Sequence, residues 1–239
     1  MSSMDSRDRL IIALDYPDLG PALRLVDTLG DTVQWYKVGL ELYLNEGAAA
    51  VAILVARGHS VFLDLKLHDI PNTVAGAVRG VARTGASLLT IHASGGPAMV
   101  SAAVETAAAT PGAPRILAVT VLTSMDQQQL SATGIGHSAA EQVNLLGEMA
   151  IAAGADGLVC SAEESASLRG KLGSHPLLIV PGIRPAGVAA GDQKRVATPA
   201  SALQNGASYL VVGRPITQAA DPRQAALSIL AEMQTRDAG

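Results

Sequence analysis

GHSVFLDLK, Gly58 to Lys66, sets out the pattern on which the fold turns. A glycine closes a helix-like stretch, and a short apolar run ending in charged residues follows it. Glycine is favoured just past a helix C-terminus because it enters the left-handed region without a Cβ penalty. The same punctuation returns at Gly30 before VQWYKVG, Gly85 before LLTIHA and Gly112 before RILAVTVL. It returns again at Gly154 before GLVC, Gly173 before LLIV and Gly206 before YLVVG. With LIIALD, Leu10 to Asp15, at the start, the chain holds eight candidate strands.

These runs are continuously apolar rather than alternating, as parallel strands covered on both faces require. Between them lie helix-length segments with apolar residues at helical spacing: Leu19, Leu23, Val26 and Leu29, then Val74, Ala77, Val78, Val81 and Ala82. Ala220, Ala225, Leu227, Leu230 and Met233 repeat less regularly. Strand and helix alternating in this way predict an α/β chain folded as a single (β/α)8 TIM barrel, one domain over 1–239. The length suits barrels of about 250 residues. An open doubly wound sheet is the alternative, and it usually carries a Gly-rich phosphate loop after its first strand. Here LIIALD runs into YPDLGP instead. Two connectors, 123–137 and 182–197, exceed what packing needs and read as binding loops or lids.

Composition narrows the function classes. Hydrophobic residues make up 49% and charged residues 16% of 239, with mean hydropathy +0.29, enough for a sizeable core. Only 3% is aromatic, which disfavours stacking platforms for single-stranded nucleic acid. A net charge of −4 leaves no basic footprint for nucleic acid or an anionic membrane. An anionic substrate must therefore be attracted by local groups. The single cysteine, Cys160, excludes an internal disulfide and a cysteine-cluster metal site, and reads as a small buried hydrophobe. No apolar run approaches the roughly 18 residues of a membrane span, and the N-terminus has no apolar signal core. A soluble cytoplasmic protein is expected.

In a barrel of this kind the chemistry sits at the C-terminal ends of the strands. There the sequence places Asp15 at the end of the first strand, Lys37 in the second, and Asp64 with Lys66 in the third. His92 ends the fourth, Thr123 the fifth, and Gly213 with Arg214 the eighth. Asp64 and Lys66 are two residues apart on a strand, so their side chains share one face. With Lys37 on the adjacent strand and Asp15 beyond it, carboxylates and ammonium groups alternate, and the acids favour a protonated Lys66. One Asp/Lys pair alone reads more simply as a structural ion pair. Four such residues on three consecutive strands point to a site. Asp69 lies past the strand, before IPNT. His68 alternates away from Lys66 as a loop or interface residue, and His92 reads equally as an interior hydrogen-bonding histidine. Gly213 and Arg214 stand where barrels commonly bind phosphate, glycine giving a close backbone N–H and arginine a forked donor. PGIR, ending in Arg184, closes the seventh strand, and Gln193 lies in the loop beyond.

Together these residues resemble the orotidine 5′-monophosphate decarboxylase family over nearly the whole chain. The most specific match is DLKLHDIPNT, Asp64 to Thr73, which is similar to the family pattern D-x-K-x-x-D-I-P-x-T. YKVG at Lys37, TVLTS at Thr123, PGIR, Gln193 and VVGRPI support it. The resemblance implies decarboxylation of orotidine 5′-monophosphate to uridine 5′-monophosphate, the last step of de novo pyrimidine biosynthesis, with no cofactor and no metal. It implies Lys66 as proton donor to C6, Asp64 near the departing carboxylate, and Lys37 with Asp15 on the ribose hydroxyls. It further implies a homodimer in which Asp69 crosses into the neighbouring site, with Ile70 and Thr73 nearby. Thr123 would meet the pyrimidine edge, and Gln193, Arg214 and the Gly213 backbone the phosphate, with Arg184 in the closing loop. Two rivals stay open: a related metal-dependent sugar-phosphate decarboxylase or aldolase, and a phosphate-binding barrel without catalysis. In the first, a carboxylate near the second strand helps hold Mg2+, where this chain has Lys37.

Overall fold

Eight short parallel strands pair strictly in chain order, and the last closes on the first. The computed structural model describes residues 6–185 and 197–234. The strands are β1 Leu10–Ala13, β2 Trp35–Gly39, β3 Ser60–Leu67, β4 Leu88–His92, β5 Arg115–Val119, β6 Gly157–Val159, β7 Leu177–Val180 and β8 Tyr209–Val212. Each expected strand is present. Helices fill the gaps: α1 Leu19–Leu29, α2 Leu40–Glu46, α3 Ala48–Ala56, α4 Pro71–Ala82 and α5 Gly96–Ala109. The second half holds α6 Gln127–Ala132, α7 Ala139–Ala152, α8 Ala162–Leu172, α9 Pro199–Gln204, α10 Arg214–Thr217 and α11 Pro222–Gln234.

The glycine punctuation has the backbone cause inferred for it. Gly30, Gly58, Gly85, Gly112, Gly154, Gly173 and Gly206 all have positive φ, between 52° and 94°. An L side chain at such a turn is strained, and the glycine lets the chain reverse at once into the next strand.

Two apolar layers follow from the double-sided strands. Ile11, Phe62, Leu88, Leu117, Ile179 and Tyr209 meet inside the barrel, where Trp35 packs edge-on against Tyr209 at 5.3 Å. Their strand neighbours Leu10, Ile12, Tyr36, Val61, Leu63 and Leu89 point outward and pack under the helices. In α11 the buried face is Ala226, Ile229, Leu230 and Met233, whereas Leu227 is 44% exposed. The irregular periodicity expected there had placed Leu227 one position off the face.

Strand ends differ from expectation in four places: β7 stops at Val180 before Arg184, and β8 stops at Val212, so Gly213 and Arg214 lead into α10. β1 stops at Ala13, so Asp15 stands in the loop two residues on. β5 stops at Val119, so Thr123 lies four residues beyond the ladder. The first long connector carries α6, started by a capping box between Asp126 and Gln129. In the second, Ile183 bridges Ala197 in parallel register.

The N-terminal face of the barrel is tied by side chains reaching backbone carbonyls. Arg169 donates to the carbonyls of Gly173, Pro176 and Gly206 at 2.9 Å and to Ser208 Oγ at 3.3 Å. Asp156 accepts from the Ile116 N–H at 2.7 Å. Hydrogen bonds to charged groups each contribute about 1.5–3 kcal/mol, and a buried acceptor left bare costs about as much. Arg169→Met should therefore lower stability by about 2–4 kcal/mol in chemical denaturation. Because the clamp lies opposite the mouth, activity per folded molecule should not change. An unaltered unfolding midpoint would mean that the guanidinium ties nothing together.

Candidate active site

The inward parity of the strands delivers the polar residues to one place. On β1 the inward series Ile11, Ala13 continues to Asp15, and on β2 Trp35 is followed by Lys37 and Gly39. On β3 Phe62 is followed by Asp64, and on β4 Leu88 is followed by Thr90. The apolar members fill the barrel, and the next residue on each strand stands above them at the mouth.

There the charges form an unbroken chain. Lys37 Nζ lies 2.9 Å from Asp15 Oδ1 and 3.6 Å from Asp64 Oδ2. Lys66 Nζ donates to both Asp64 oxygens at 2.8 Å. Asp64 is 9% exposed. Burial alone would raise its pKa, but Lys37 and Lys66, with hydrogen bonds from Lys66 and Thr90, hold it below the ordinary value. Burial alone would lower the pKa of Lys37, yet Asp64 and Asp15 hold it above the ordinary value. The two directions agree: carboxylate and ammonium are both ionised at neutral pH because each compensates the other's lost hydration.

Lys66 reaches Asp64 by a different route from simple alternation. Its φ is +51°, the left-handed region, rare for a side chain of this kind. Leu63 pairs with Leu89, but the next pairing is Leu67 with Ile91, so β3 bulges across Asp64, Leu65 and Lys66.

Two cavities open on this charged chain. One of about 490 Å³ is lined by Asp15, Lys37, Arg184, Gly213 and Arg214, among others. The other, about 160 Å³, is lined by Lys37, Asp64, Lys66 and Thr123, with Phe62, Val119 and Val159 as apolar walls. Lys37, Pro181 and Val211 belong to both. A polar lobe with two arginines and a glycine backbone thus adjoins an apolar lobe with the ion chain at its wall. Such a pair can hold an anionic tail and a flat ring in one ligand.

Not every candidate joins them. Asp69, Ile70 and Thr73 are exposed at the start of α4, and Ile70 is 67% exposed. The Asp69 carboxylate accepts from the Ile70 N–H at 2.7 Å and stands outside the ion chain. Asp69 and Ile70 instead border a surface concavity with His68, Ser94 and Gly95. His68 is exposed, as expected, and its ring tilts against the half-buried His92 with centroids 5.5 Å apart. Burial, then His68 and Lys66, push the His92 pKa below its ordinary value. Cys160 is buried, its Sγ 3.6 Å from Ser165 Oγ. Gln193 lies outside the described residues.

Two residues at the mouth escaped the sequence reading. Thr90, fully buried, donates to Asp64 Oδ1 at 2.9 Å and accepts from the Lys66 N–H at 2.9 Å. Gly39 has no side chain, and a Cβ there would fall 2.8 Å from Lys37 Nζ and 3.3 Å from Asp15 Oδ1. Each stands two residues past an inward residue on its own strand, a parity that places it at the mouth without giving it a role.

Comparison with known proteins gives a consistent result. The model of the Orotidine 5'-phosphate decarboxylase / HUMPS family matches residues 8–229. An orotidine 5'-phosphate decarboxylase of Rhodopseudomonas palustris (strain HaA2) is 53% identical over 227 residues, 95% of each chain. One from Moorella thermoacetica is 49% identical over 240 residues, 98% of this chain and 95% of that one. Among solved structures, orotidine 5'-phosphate decarboxylase from Lactobacillus acidophilus superposes with a TM-score of 0.85 at 40% identity. That likeness covers 95% of this chain and 99% of the other.

The space at Gly39 can be tested directly. Its φ of −95° suits alanine, so Gly39→Ala carries no backbone strain. The added methyl must instead push the Lys37 ammonium out from between Asp15 and Asp64. Misplacing a catalytic group by about 1 Å costs on the order of 10²-fold in rate. Gly39→Ala should lose kcat/KM on that scale while its melting temperature stays near that of the parent. Full activity would mean that the position of Lys37 is not critical.

Proposed function

The chain belongs to the Orotidine 5'-phosphate decarboxylase / HUMPS family, and on that premise we propose that it converts orotidine 5'-phosphate to uridine 5'-phosphate and CO2. The observation that carries the reading is the Asp15–Lys37–Asp64–Lys66 chain at the wall shared by a polar and an apolar lobe. The phosphate would occupy the polar lobe, held by Gln193, Arg214 and the Gly213 backbone, with Arg184 in the closing loop of the seventh strand. The ribose hydroxyls would meet Asp15 and Lys37 where the lobes join. The pyrimidine would enter the apolar lobe, its edge at Thr123 and its C6 facing Lys66.

The chemistry follows from where charge develops. Breaking the C6–carboxylate bond leaves an electron pair on C6 in the ring plane, where the ring's π-system delocalises it poorly. The negative charge moves from the carboxylate oxygens onto C6, and an ammonium fixed beside C6 stabilises it more there than on the carboxylate, which is what lowers a barrier. The Lys66 proton then moves to C6, completing the new C–H bond, and the amine regains a proton from water. Asp64 serves here chiefly by holding Lys66 in place and charged. Grip on the distant phosphate supplies binding energy for closing the loops and excluding water.

We place the working form as a cytoplasmic homodimer, with the 1–239 barrel as its one domain. Three observations support the dimer. Asp69 lies outside the cage of its own protomer, Ile70 beside it is 67% exposed, and Leu40 and Leu44 on α2 are 49% and 77% exposed. α2 and α4 follow adjacent strands. No helix of the described residues is long and apolar enough to cross a membrane.

Loss of orotidine 5'-phosphate absorbance should accompany uridine 5'-phosphate formation, and the rate should survive exhaustive chelation. Lys66→Ala should abolish turnover while retaining affinity for the product, whose phosphate and ribose contacts remain. Near-normal turnover by that variant would remove Lys66 from the mechanism. Dimer sharing is tested by mixing. Lys66→Ala and Asp69→Ala are each expected to be inactive, but subunit exchange in an equal mixture should restore about a quarter of wild-type activity, because hybrid dimers regain one whole site. A mixture as inactive as its parts, despite proven exchange, would show that each site is built from one chain.

A further inference from the structure

We propose that Thr90 is a positioning residue for the reaction, its hydroxyl bracing the Lys66 backbone and the Asp64 carboxylate at once. The inference rests on the decarboxylase reading and extends it to a residue in the interior of a strand. Between the pairings Leu63–Leu89 and Leu67–Ile91, three residues of β3 face the single residue Thr90 of β4. The regular register is broken there, and Lys66 has a φ of +51°. Thr90 Oγ1 takes the Lys66 N–H at 2.9 Å and passes its own hydrogen to Asp64 Oδ1 at 2.9 Å.

One hydroxyl therefore does two linked things. It supplies the acceptor that lets Lys66 stay in a left-handed conformation, the conformation in which its ammonium turns back onto Asp64. It also fixes the rotation of the Asp64 carboxylate, whose two oxygens must face Lys66 while one approaches Lys37 at 3.6 Å. The residue type suits the task. Thr90 is 0% exposed, so no water competes for its hydroxyl, and its branched Cβ restricts χ1. Valine keeps the shape and removes both hydrogen bonds. Serine keeps the hydroxyl and loses only a methyl.

Thr90→Val and Thr90→Ser should be compared with the wild type in steady-state decarboxylation of orotidine 5'-phosphate, with melting temperatures measured alongside. The expected result is a fall in kcat of about 10²-fold for the valine variant, from misplacement of the reacting ammonium. Its KM should change little, since phosphate and ribose are held elsewhere. The serine variant should stay within about threefold of wild type. Equal kcat in the valine and serine variants would overturn the role, as would a loss confined to KM. Should the valine variant fail to fold, Thr90→Cys against Thr90→Ser gives the same contrast, because a thiol is a weak donor and acceptor. Equal kcat there would overturn it likewise. A wild-type enzyme without turnover would overturn the functional reading itself and this role with it, whereas wild-type turnover with an unaffected valine variant would sink the Thr90 role alone.

Discussion

A carboxylate at 9% exposure above a wholly apolar barrel interior would be expelled or protonated if it stood alone. Asp64 remains ionised because two ammonium groups and a buried hydroxyl share it, and much else at the mouth follows from that sharing. Lys37 must be drawn inward to within 3.6 Å, so the residue two along has to be Gly39. Lys66 must turn back, so β3 has to bulge. Asp15 then completes the chain as the counter-charge on the outer side of Lys37. Removing Asp64, the member that both ammonium groups share, takes the carboxylate from Lys66 and leaves Lys37 with Asp15 alone, which costs more than the pairs contribute when intact.

This arrangement explains why the two lobes differ. Arg184 and Arg214 line the larger, more polar cavity, where the proposed reading seats the phosphate. In the apolar lobe an unmatched charge would only attract water. There the ammonium groups are already matched by acids, and Phe62, Val119 and Val159 keep the remaining wall dry. A matched ammonium in an apolar lobe is a preorganised dipole: it meets new negative charge without reorganising solvent. For the anionic substrate proposed above, the net charge of −4 is no obstacle where attraction is local.

The fold was legible because its signals are local and repeated. Each glycine turn and each apolar run declares itself within about ten residues, and parallel strands buried on both faces leave little room for another arrangement. The ion chain was legible too, because Asp15, Lys37, Asp64 and Lys66 interrupt apolar runs. Thr90 was not, since a threonine inside LLTIH is an ordinary strand residue until the bulge opposite it is known, and that bulge is a tertiary fact. Gly39 was hidden for the converse reason: glycine at a strand end has several uses, and only the position of Lys37 Nζ shows which applies. Thr123 was assigned to a strand because TVLTS continues the apolar run of β5, while the ladder ends at Val119 once β6 offers no further partner. Leu227 falls off the buried face because the apolar residues of α11 repeat with a weak period. Asp69, Ile70 and Thr73 are named by their motif, but no property of a single chain could say what they face.

Strain and stability are divided between the two ends of the barrel. At the N-terminal face Arg169 and Asp156 satisfy backbone groups with short bonds and tight turns, a surface that gains only from being rigid. At the C-terminal face Lys66 occupies a conformation that costs about 1 kcal/mol or more, and four charges are crowded together. A chain selected for stability alone would straighten β3 and replace Asp64 with an apolar residue, extending the interior set by Phe62. That it does neither is intelligible only if the mouth is shaped by a ligand. The clamp at one end and the crowded charges at the other thus divide the barrel between a face built for rigidity and a face that the proposed reaction would use.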